Sequence, residues 1–210
     1  MGIQERRTRE KAARRRSVLD AARTMVLERG FNGTTTKSIA ERCELSEATL
    51  FHYFQNKDEI LLSLLFEGIS YAADLLEKII ADNLPPQERL ASLWITYAMI
   101  NREHPEYVHV FGYLARPQAT INISAEVKDE IARSSGDNFR RLATILQGVV
   151  PPGTERVAAD LLWGSFIGLK TLRDTRQNLG ASPLPNEQEL GQVFQFLDAG
   201  LRAASDKGDQ

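Results

Sequence analysis

The sequence predicts an all-α protein of about nine helices, and three observations support this prediction. Apolar residues recur every three to four positions, and the alternating pattern of strands is absent. Proline and glycine lie between the periodic segments, at intervals that separate helices rather than hairpins. The chain of 210 residues is 42% hydrophobic and 26% charged, which is ordinary for a globular protein.

The first four helices are marked by capping residues. The first is expected to run to about Glu28, where a nearby glycine can end it. Thr35 and Ser46 are good N-caps for the second and third helices. Asn56 is expected to cap a fourth helix over residues 57–82.

Five further helices follow, separated by proline-containing segments. The breaks are "NLPPQ", "HPE", "RPQ", "PPG" and "LGASPLPN". The helices between them are expected at about residues 87–104, 106–115, 124–149, 155–178 and 187–204, and Thr154 is expected to cap the helix over residues 155–178.

The charge of the chain is unevenly distributed. Residues 1–57 carry 12 Lys and Arg against 7 Asp and Glu, whereas residues 58–210 carry 14 against 21. A basic head on an acidic body indicates that the head meets a polyanion. The alternative is a solvated helix that is stabilised by i,i+4 ion pairs. The arginine-rich arm, Arg6–Arg16, either extends the first helix or is flexible, and near DNA it would contact phosphates or a minor groove.

Several classes of protein are excluded by the residues present. A single cysteine, Cys43, excludes a disulfide framework and suits a reducing cytosol. The amino-terminal charges are followed by no apolar core, and no apolar run approaches the ~18 residues needed to span a bilayer. We therefore expect a soluble, cytoplasmic protein without a membrane partner.

Enzymatic motifs are absent as well. The three histidines, at positions 52, 104 and 109, lack the i,i+4 spacing of metal ligands, and Cys43 has no evident base partner. There is no phosphate-binding glycine loop and no GxSxG motif. We expect no enzyme, no metal and no cofactor.

The segment "SEATLFHYF", residues 46–54, reads as a helix with two different faces. On a helical wheel, Leu50, Phe51 and Phe54 fall within an arc of about 100°, and this arc is expected to face inward. The opposite side would present small and polar groups suited to base edges and phosphates. That side carries Ala48, Thr49, His52 and Tyr53. Because only "CEL" separates this helix from the preceding one, the pair predicts a helix-turn-helix.

Residues 16–65 resemble the DNA-binding domain of TetR-family transcriptional regulators. The matching pieces are "ERGF", the "TT" before the second helix, "IAE", "S..TL..YF" and "NKDEIL", in this order. The resemblance covers about a quarter of the chain. It implies a DNA-binding helix-turn-helix domain over residues 1–57 and a helical ligand-binding and dimerisation domain over residues 58–210.

The resemblance also implies eleven DNA-contacting residues. Contacts to phosphate or neighbouring bases fall on Thr35, Thr36 and Lys37. Major-groove positions fall on Ser46, Glu47, Ala48, Thr49, Phe51 and His52, and phosphate anchors on Tyr53 and Lys57. Two departures matter, because Glu47 replaces a basic or neutral residue and Phe51 replaces a common tyrosine. Glu47 either complements the helix dipole or accepts a hydrogen bond from a cytosine N4 amine.

The last two helices are expected to form a dimer interface, as the resemblance implies. The final helix carries an apolar stripe, and the eighth helix is apolar over most of its circumference. The expected contacts are Phe166, Leu169, Leu190, Val193, Phe194, Leu197 and Leu201. The alternative is that these side chains are only intrachain core.

The resemblance implies a ligand cavity in the second domain. Its candidate lining residues are Trp94, Tyr97, Asn101, Phe111, Tyr113, Trp163 and Phe166. Their composition favours an apolar or aromatic ligand over a polyanion, although aromatic residues at helical spacing also form plain core.

Together these features predict a homodimeric repressor on a palindromic operator, with half-sites about 34–36 Å apart or more. A small molecule would release it from DNA by shifting the fourth helix. The alternative function is an activator or architectural DNA-binding protein without a small-molecule effector.

Overall fold

The computed structural model describes residues 2–114, 123–181 and 186–206, with the backbone alone for residues 3, 113–114, 186–190 and 205–206. These ranges contain nine α-helices and no β-strand, as the sequence predicts. The helices are α1 Ile3–Gly33, α2 Thr36–Arg42, α3 Glu47–Leu50, α4 Lys57–Ala81, α5 Pro86–Glu103, α6 Pro105–Leu114, α7 Ala125–Leu146, α8 Glu155–Asn178 and α9 Asn186–Asp206.

Helix α1 differs most from its predicted extent. The arginine-rich arm forms the first part of α1. Of the two alternatives for the arm, the extension of the first helix is therefore correct. Gly30 has φ 64° and ψ −177°, which interrupts the helical conformation close to the expected end. Glycine tolerates this positive φ without steric cost. The chain then resumes one further helical turn and ends at Gly33.

The chain folds into two compact units. Helix α4 contributes its first part to one unit and its second part to the other. Met1–Gly68 and Pro105–Lys128 form the first, named here the head unit. Ile69–His104 and Asp129–Gln210 form the second, the body unit. These units describe packing, and the division into a DNA-binding domain and a ligand-binding domain at residue 57 stays a prediction.

The head unit encloses a core of aliphatic and aromatic side chains. Val18 and Ala22 of α1, Ile39 of α2 and Leu50 of α3 are all fully buried in it. Full burial of one Val, Leu or Ile side chain stabilises the fold by about 1.5–3 kcal/mol. This core fixes α2 and α3 on α1, and so sets the helix-turn-helix.

An ion-pair cluster links three helices of the head unit. Nε of Arg23 in α1 lies 2.9 Å from Oε1 of Glu106 in α6, whose side chain is only 2% exposed. The same guanidinium contacts Glu67 of α4 at 2.7 Å and Asp20 of α1 at 2.6 Å. Nearby, a Cβ on Gly68 would lie 2.8 Å from a ring carbon of Tyr107. The absence of a side chain at Gly68 therefore lets α4 and α6 approach closely.

The body unit is built around the buried face of α5. Leu90, Leu93 and Tyr97 are buried on this helix, and Leu162 and Phe166 of α8 are buried with them. No helix in the described ranges is long and apolar enough to cross a membrane.

Candidate DNA-binding and ligand sites

The caps predicted at Thr35, Ser46 and Asn56 form as expected, whereas the Thr154 side chain makes no capping hydrogen bond at the start of α8. The Thr35 side chain accepts a hydrogen bond from the Ser38 amide at 3.0 Å, and Ser46 Oγ accepts one from the Thr49 amide at 3.0 Å. Asn56 Oδ1 accepts from the Glu59 amide at 2.8 Å. These local bonds fix where α2, α3 and α4 begin.

The turn between α2 and α3 requires an unusual backbone conformation. Glu44 has φ 55°, which is left-handed and uncommon for a residue with a side chain. The Leu45 amide donates to the Ala40 carbonyl at 2.9 Å and closes this turn. Glu44 therefore bears the strain that lets α3 cross α2.

Three side chains of "SEATLFHYF" were predicted to face inward, and the prediction is wrong for one of them. Leu50 and Phe54 are buried, but Phe51 is 47% exposed. The helical wheel assumed a helix through Phe54, whereas α3 ends at Leu50 and residues 51–53 form turns. Phe51 also lies at the edge of the inward arc, so it turns toward solvent.

The structure leaves much of the predicted DNA face accessible. Thr36, Glu47, Thr49 and Tyr53 are partly exposed, and a further set is exposed. The exposed set comprises Thr35, Lys37, Ser46, Ala48, Phe51 and His52. This face is compatible with the predicted contacts, which stay predictions.

Two of the predicted DNA-contacting residues hold each other. The Thr36 hydroxyl donates a hydrogen bond to Glu47 Oε1 at 2.6 Å, across the turn that separates α2 from α3. The bond orients the Glu47 carboxylate from outside its own helix. Sequence spacing gave no signal for this contact.

The Lys57 side chain, predicted to contact phosphate, already makes a contact within the protein. Its Nζ donates a hydrogen bond to the Phe31 carbonyl at 2.5 Å. Burial lowers the pKa of the Lys57 ammonium, and the neighbouring Asp58 opposes this effect. Lys57 thus ties the start of α4 to the end of α1.

The basic arm and the recognition segment line one open groove, named here the arm groove. Arg7, Lys11 and Arg14 lie at i, i+4 and i+7 of α1, and they share the groove with His52 and Tyr53. Glu10 also lines it. Sequence reasoning identified the arm but could not place these three cations beside the recognition segment.

Arg15 fastens this part of α1 to the segment after α3. Its guanidinium donates to the Tyr53 carbonyl and lies 4.0 Å from the centre of the Phe54 ring. A cation over an aromatic face is attractive by about 0.5–2 kcal/mol. The wall of the arm groove is therefore held by a specific contact.

The predicted ligand residues divide between the two units. Four of them, Trp94, Tyr97, Asn101 and Phe166, are buried in the body unit, and Trp163 there is half-buried. Phe111 is half-buried in the head unit. The side chain of Tyr113 lies outside the described residues.

Aromatic rings surround Tyr97 in the body unit. Its ring centre lies 5.1 Å from that of Phe166 and 5.9 Å from that of Trp163. Trp94 stacks on Phe194 of α9 at 5.3 Å. The structure therefore brings α5, α8 and α9 together through the side chains that the sequence singled out.

Several polar atoms are buried in this aromatic region, and two of them are on α5. The Tyr97 hydroxyl and Asn101 Oδ1 have no hydrogen-bond partner among the described residues. Burial raises the pKa of the Tyr97 phenol, so the hydroxyl stays protonated at neutral pH.

The predicted dimer residues differ in their exposure. Phe166 and Leu201 are 2% and 7% exposed, which leaves no surface for a partner subunit. Phe194 is half-buried against Trp94. The burial of Phe166 and Leu201 favours the alternative that these two side chains are intrachain core, and the interface role of the seven residues stays a prediction. Leu169, Val193 and Leu197 are half-buried, and the side chain of Leu190 lies outside the described residues.

A different stripe of α8 is apolar and exposed. Val157, Leu161 and Leu172 are 70%, 49% and 52% exposed. Together with Gly164 and Gly168 they fall within an arc of about 80°. A Cβ on either glycine would meet nothing within 4 Å. These five residues are named here the α8 stripe. Their exposure could not be predicted, because the sequence shows α8 as apolar on nearly every side.

Comparison with known proteins gives consistent matches. Residues 18–64 match the family model described as "Bacterial regulatory proteins, tetR family". The HTH-type transcriptional regulator YvkB of Bacillus subtilis is 39% identical over 153 residues, covering 72% of this chain and 78% of that protein. The HTH-type transcriptional repressor KstR2 of Mycolicibacterium smegmatis is 26% identical over 184 residues, covering 87% of each chain.

Solved structures show the same fold. The crystal structure of AibR in complex with isovaleryl coenzyme A and operator DNA superposes with a TM-score of 0.65. The identity is 21%, with 87% of this chain and 97% of that chain covered.

Proposed function

Because this chain belongs to the TetR family of bacterial transcriptional regulators, we propose that it is a homodimeric repressor that a small molecule releases from its operator. The observation that carries the proposal is the exposed helix-turn-helix face beside the arm groove. The repressor KstR2 of M. smegmatis supports repression rather than activation, because it is similar to this chain over most of both chains.

The DNA-binding step uses two kinds of contact. The exposed His52 and Ala48, with Glu47 held by Thr36, are suited to base edges in a major groove. Arg7, Lys11 and Arg14 are suited to phosphates, which give affinity without base preference. Two such heads related by a two-fold axis would read a palindrome.

Selection of bound DNA from a random pool tests this step. We expect a palindromic consensus, and we expect His52→Ala to change the enriched bases. Lys11→Ala should instead weaken every sequence and reduce the salt dependence by about one phosphate contact. Glu41→Ala, an exposed change in α2, is the control. Without enrichment of any sequence, this proposal fails.

The α8 stripe is the proposed dimer surface. Its exposed apolar side chains would be covered by a second copy of the chain, and the two open glycines would allow close approach of helices. Phe196 of α9, which is 78% exposed, supplies a further apolar side chain in the same unit.

Sedimentation of variants tests the dimer. Leu161→Glu should produce monomers, because it places a charge in an apolar interface. Ile95→Glu is the matched control, because Ile95 is a 66% exposed apolar residue of the same unit outside the stripe. Equal dissociation of both variants, or of neither, would refute the assignment.

Release by a ligand in the body unit is the last step. AibR was solved with both isovaleryl coenzyme A and operator DNA, and so supports a ligand-responsive mechanism in this fold. A ligand that favours one position of α4 would change the DNA-binding equilibrium by its differential affinity for the two states.

A thermal-shift screen followed by DNA-binding measurements tests ligand release. A ligand that binds the folded protein raises its melting temperature. If no stabilising compound weakens operator binding, the alternative of a regulator without an effector is favoured.

A further inference from the structure

The two buried polar groups of α5 specify what kind of molecule the body unit accepts. Tyr97 and Asn101 lie four residues apart, on the same face of α5, and are 3% and 7% exposed. Neither the Tyr97 hydroxyl nor Asn101 Oδ1 finds a hydrogen-bond partner within the described ranges. Buried polar side-chain atoms in folded proteins nearly always have such a partner.

The surroundings of these groups restrict the body of the ligand. The Tyr97 ring is packed against the rings of Trp163 and Phe166, and Trp94 stacks on Phe194. None of these side chains carries a charge. A molecule in contact with these rings gains from burial of apolar surface, and a charged group there would lose its hydration.

The two polar atoms restrict the ligand's functional group. Asn101 Oδ1 can only accept a hydrogen bond, so the ligand must supply a donor. The Tyr97 hydroxyl can donate or accept. An ammonium donor would need a counter-charge that the surrounding rings do not offer. A hydroxyl is the smallest uncharged group that both donates and accepts.

We propose that the body unit binds an uncharged, largely apolar molecule whose hydroxyl group donates a hydrogen bond to Asn101 and contacts the Tyr97 hydroxyl. This inference rests on the proposed function, because it assigns the effector class of the same site. It adds that the site selects by one neutral polar group and rejects a carboxylate or a coenzyme A thioester.

The test uses four probes with the same eight-carbon chain: 1-octanol, octyl methyl ether, octanoate and octanoyl coenzyme A. Tryptophan fluorescence reports binding, because both tryptophans of the chain, Trp94 and Trp163, lie in this region. We expect 1-octanol to bind roughly tenfold more tightly than the ether, which can accept but cannot donate. Octanoate and octanoyl coenzyme A should bind more weakly than 1-octanol.

Variants separate the hydroxyl contact from general apolar binding. Tyr97→Phe and Asn101→Leu should reduce the preference for 1-octanol over the ether toward unity. Tyr97→Phe should also raise the melting temperature of the free protein, because it removes a buried hydroxyl that lacks a partner. Tyr71→Phe, another tyrosine of the body unit, is the control and should change neither quantity.

Three results would overturn the proposal: equal binding of 1-octanol and the ether, tighter binding of octanoate or octanoyl coenzyme A, or binding of no probe. Anisotropy of labelled operator DNA measures release separately. If 1-octanol binds selectively without releasing DNA, ligand release fails and the ligand class stands. If a charged compound releases DNA and 1-octanol does not bind, the ligand class fails and release stands.

Discussion

Replacement of Arg23 by methionine tests how strongly the ion-pair cluster holds the head unit together. Arg23→Met keeps an apolar stem of similar length and removes the cation beside Glu106, whose side chain is 2% exposed. A carboxylate that water cannot reach then loses its nearest cation. Removal of one partner of a buried ion pair costs about 3–5 kcal/mol of folding free energy.

Arg141→Met is the matched control for this change. Arg141 is 28% exposed, close to the 25% of Arg23, but its partner Glu77 is 57% exposed. Water can hydrate Glu77 when the arginine is removed, so the expected loss is below about 1 kcal/mol. The two variants therefore differ mainly in the burial of the carboxylate.

Urea unfolding followed by circular dichroism measures both losses. A loss of about 3 kcal/mol in a chain of this size also lowers the melting temperature by roughly 6–12 °C. Equal losses for Arg23→Met and Arg141→Met would refute the reasoning. That result would mean that the burial of Glu106 does not determine the strength of the cluster.

Three further predictions follow from single positions. Gly68→Ala should destabilise the protein by about 1–3 kcal/mol in urea unfolding, because the new Cβ would lie 2.8 Å from Tyr107. The control Gly136→Ala should be neutral or stabilising, because alanine favours a helix more than glycine does and its Cβ would meet no close neighbour. Burial raises the pKa of the Cys43 thiol, so alkylation should be slower than for a free cysteine near pH 8 and should accelerate at a higher pH. Glu47→Gln should relax the base preference in DNA selection if Glu47 reads a cytosine, and should tighten binding to all DNA if it does not. Unchanged preference and affinity would contradict any role of Glu47 at the DNA and would leave only its interaction with the helix dipole.

The sequence predicts the parts of this fold that depend on neighbouring residues. The caps at Thr35, Ser46 and Asn56 were correct because each bond reaches an amide only three residues away. The outward turn of Phe51 was missed because a wheel continues a helix that the chain ends at Leu50.

Contacts between distant segments could not be predicted. Lys57 and the Phe31 carbonyl are 26 residues apart, and Arg23 and Glu106 lie on helices that only the folded head unit brings together. The α8 stripe was hidden for a different reason. An apolar pattern on nearly every side of a helix does not tell which side the rest of the chain covers.

The pairing of groups within the head unit bears on how it would bind DNA. The Glu47 carboxylate is already oriented by Thr36, and the main chain after α3 is fixed by Arg15. Side chains that are ordered before binding lose less conformational entropy when they meet a partner. The arginine and lysine side chains of the arm groove have flexible stems, so their ordering costs more. The residues proposed to read bases thus include the fixed part of this surface, and the residues proposed to bind phosphate are its adaptable part. This division favours discrimination by α3 and affinity from α1.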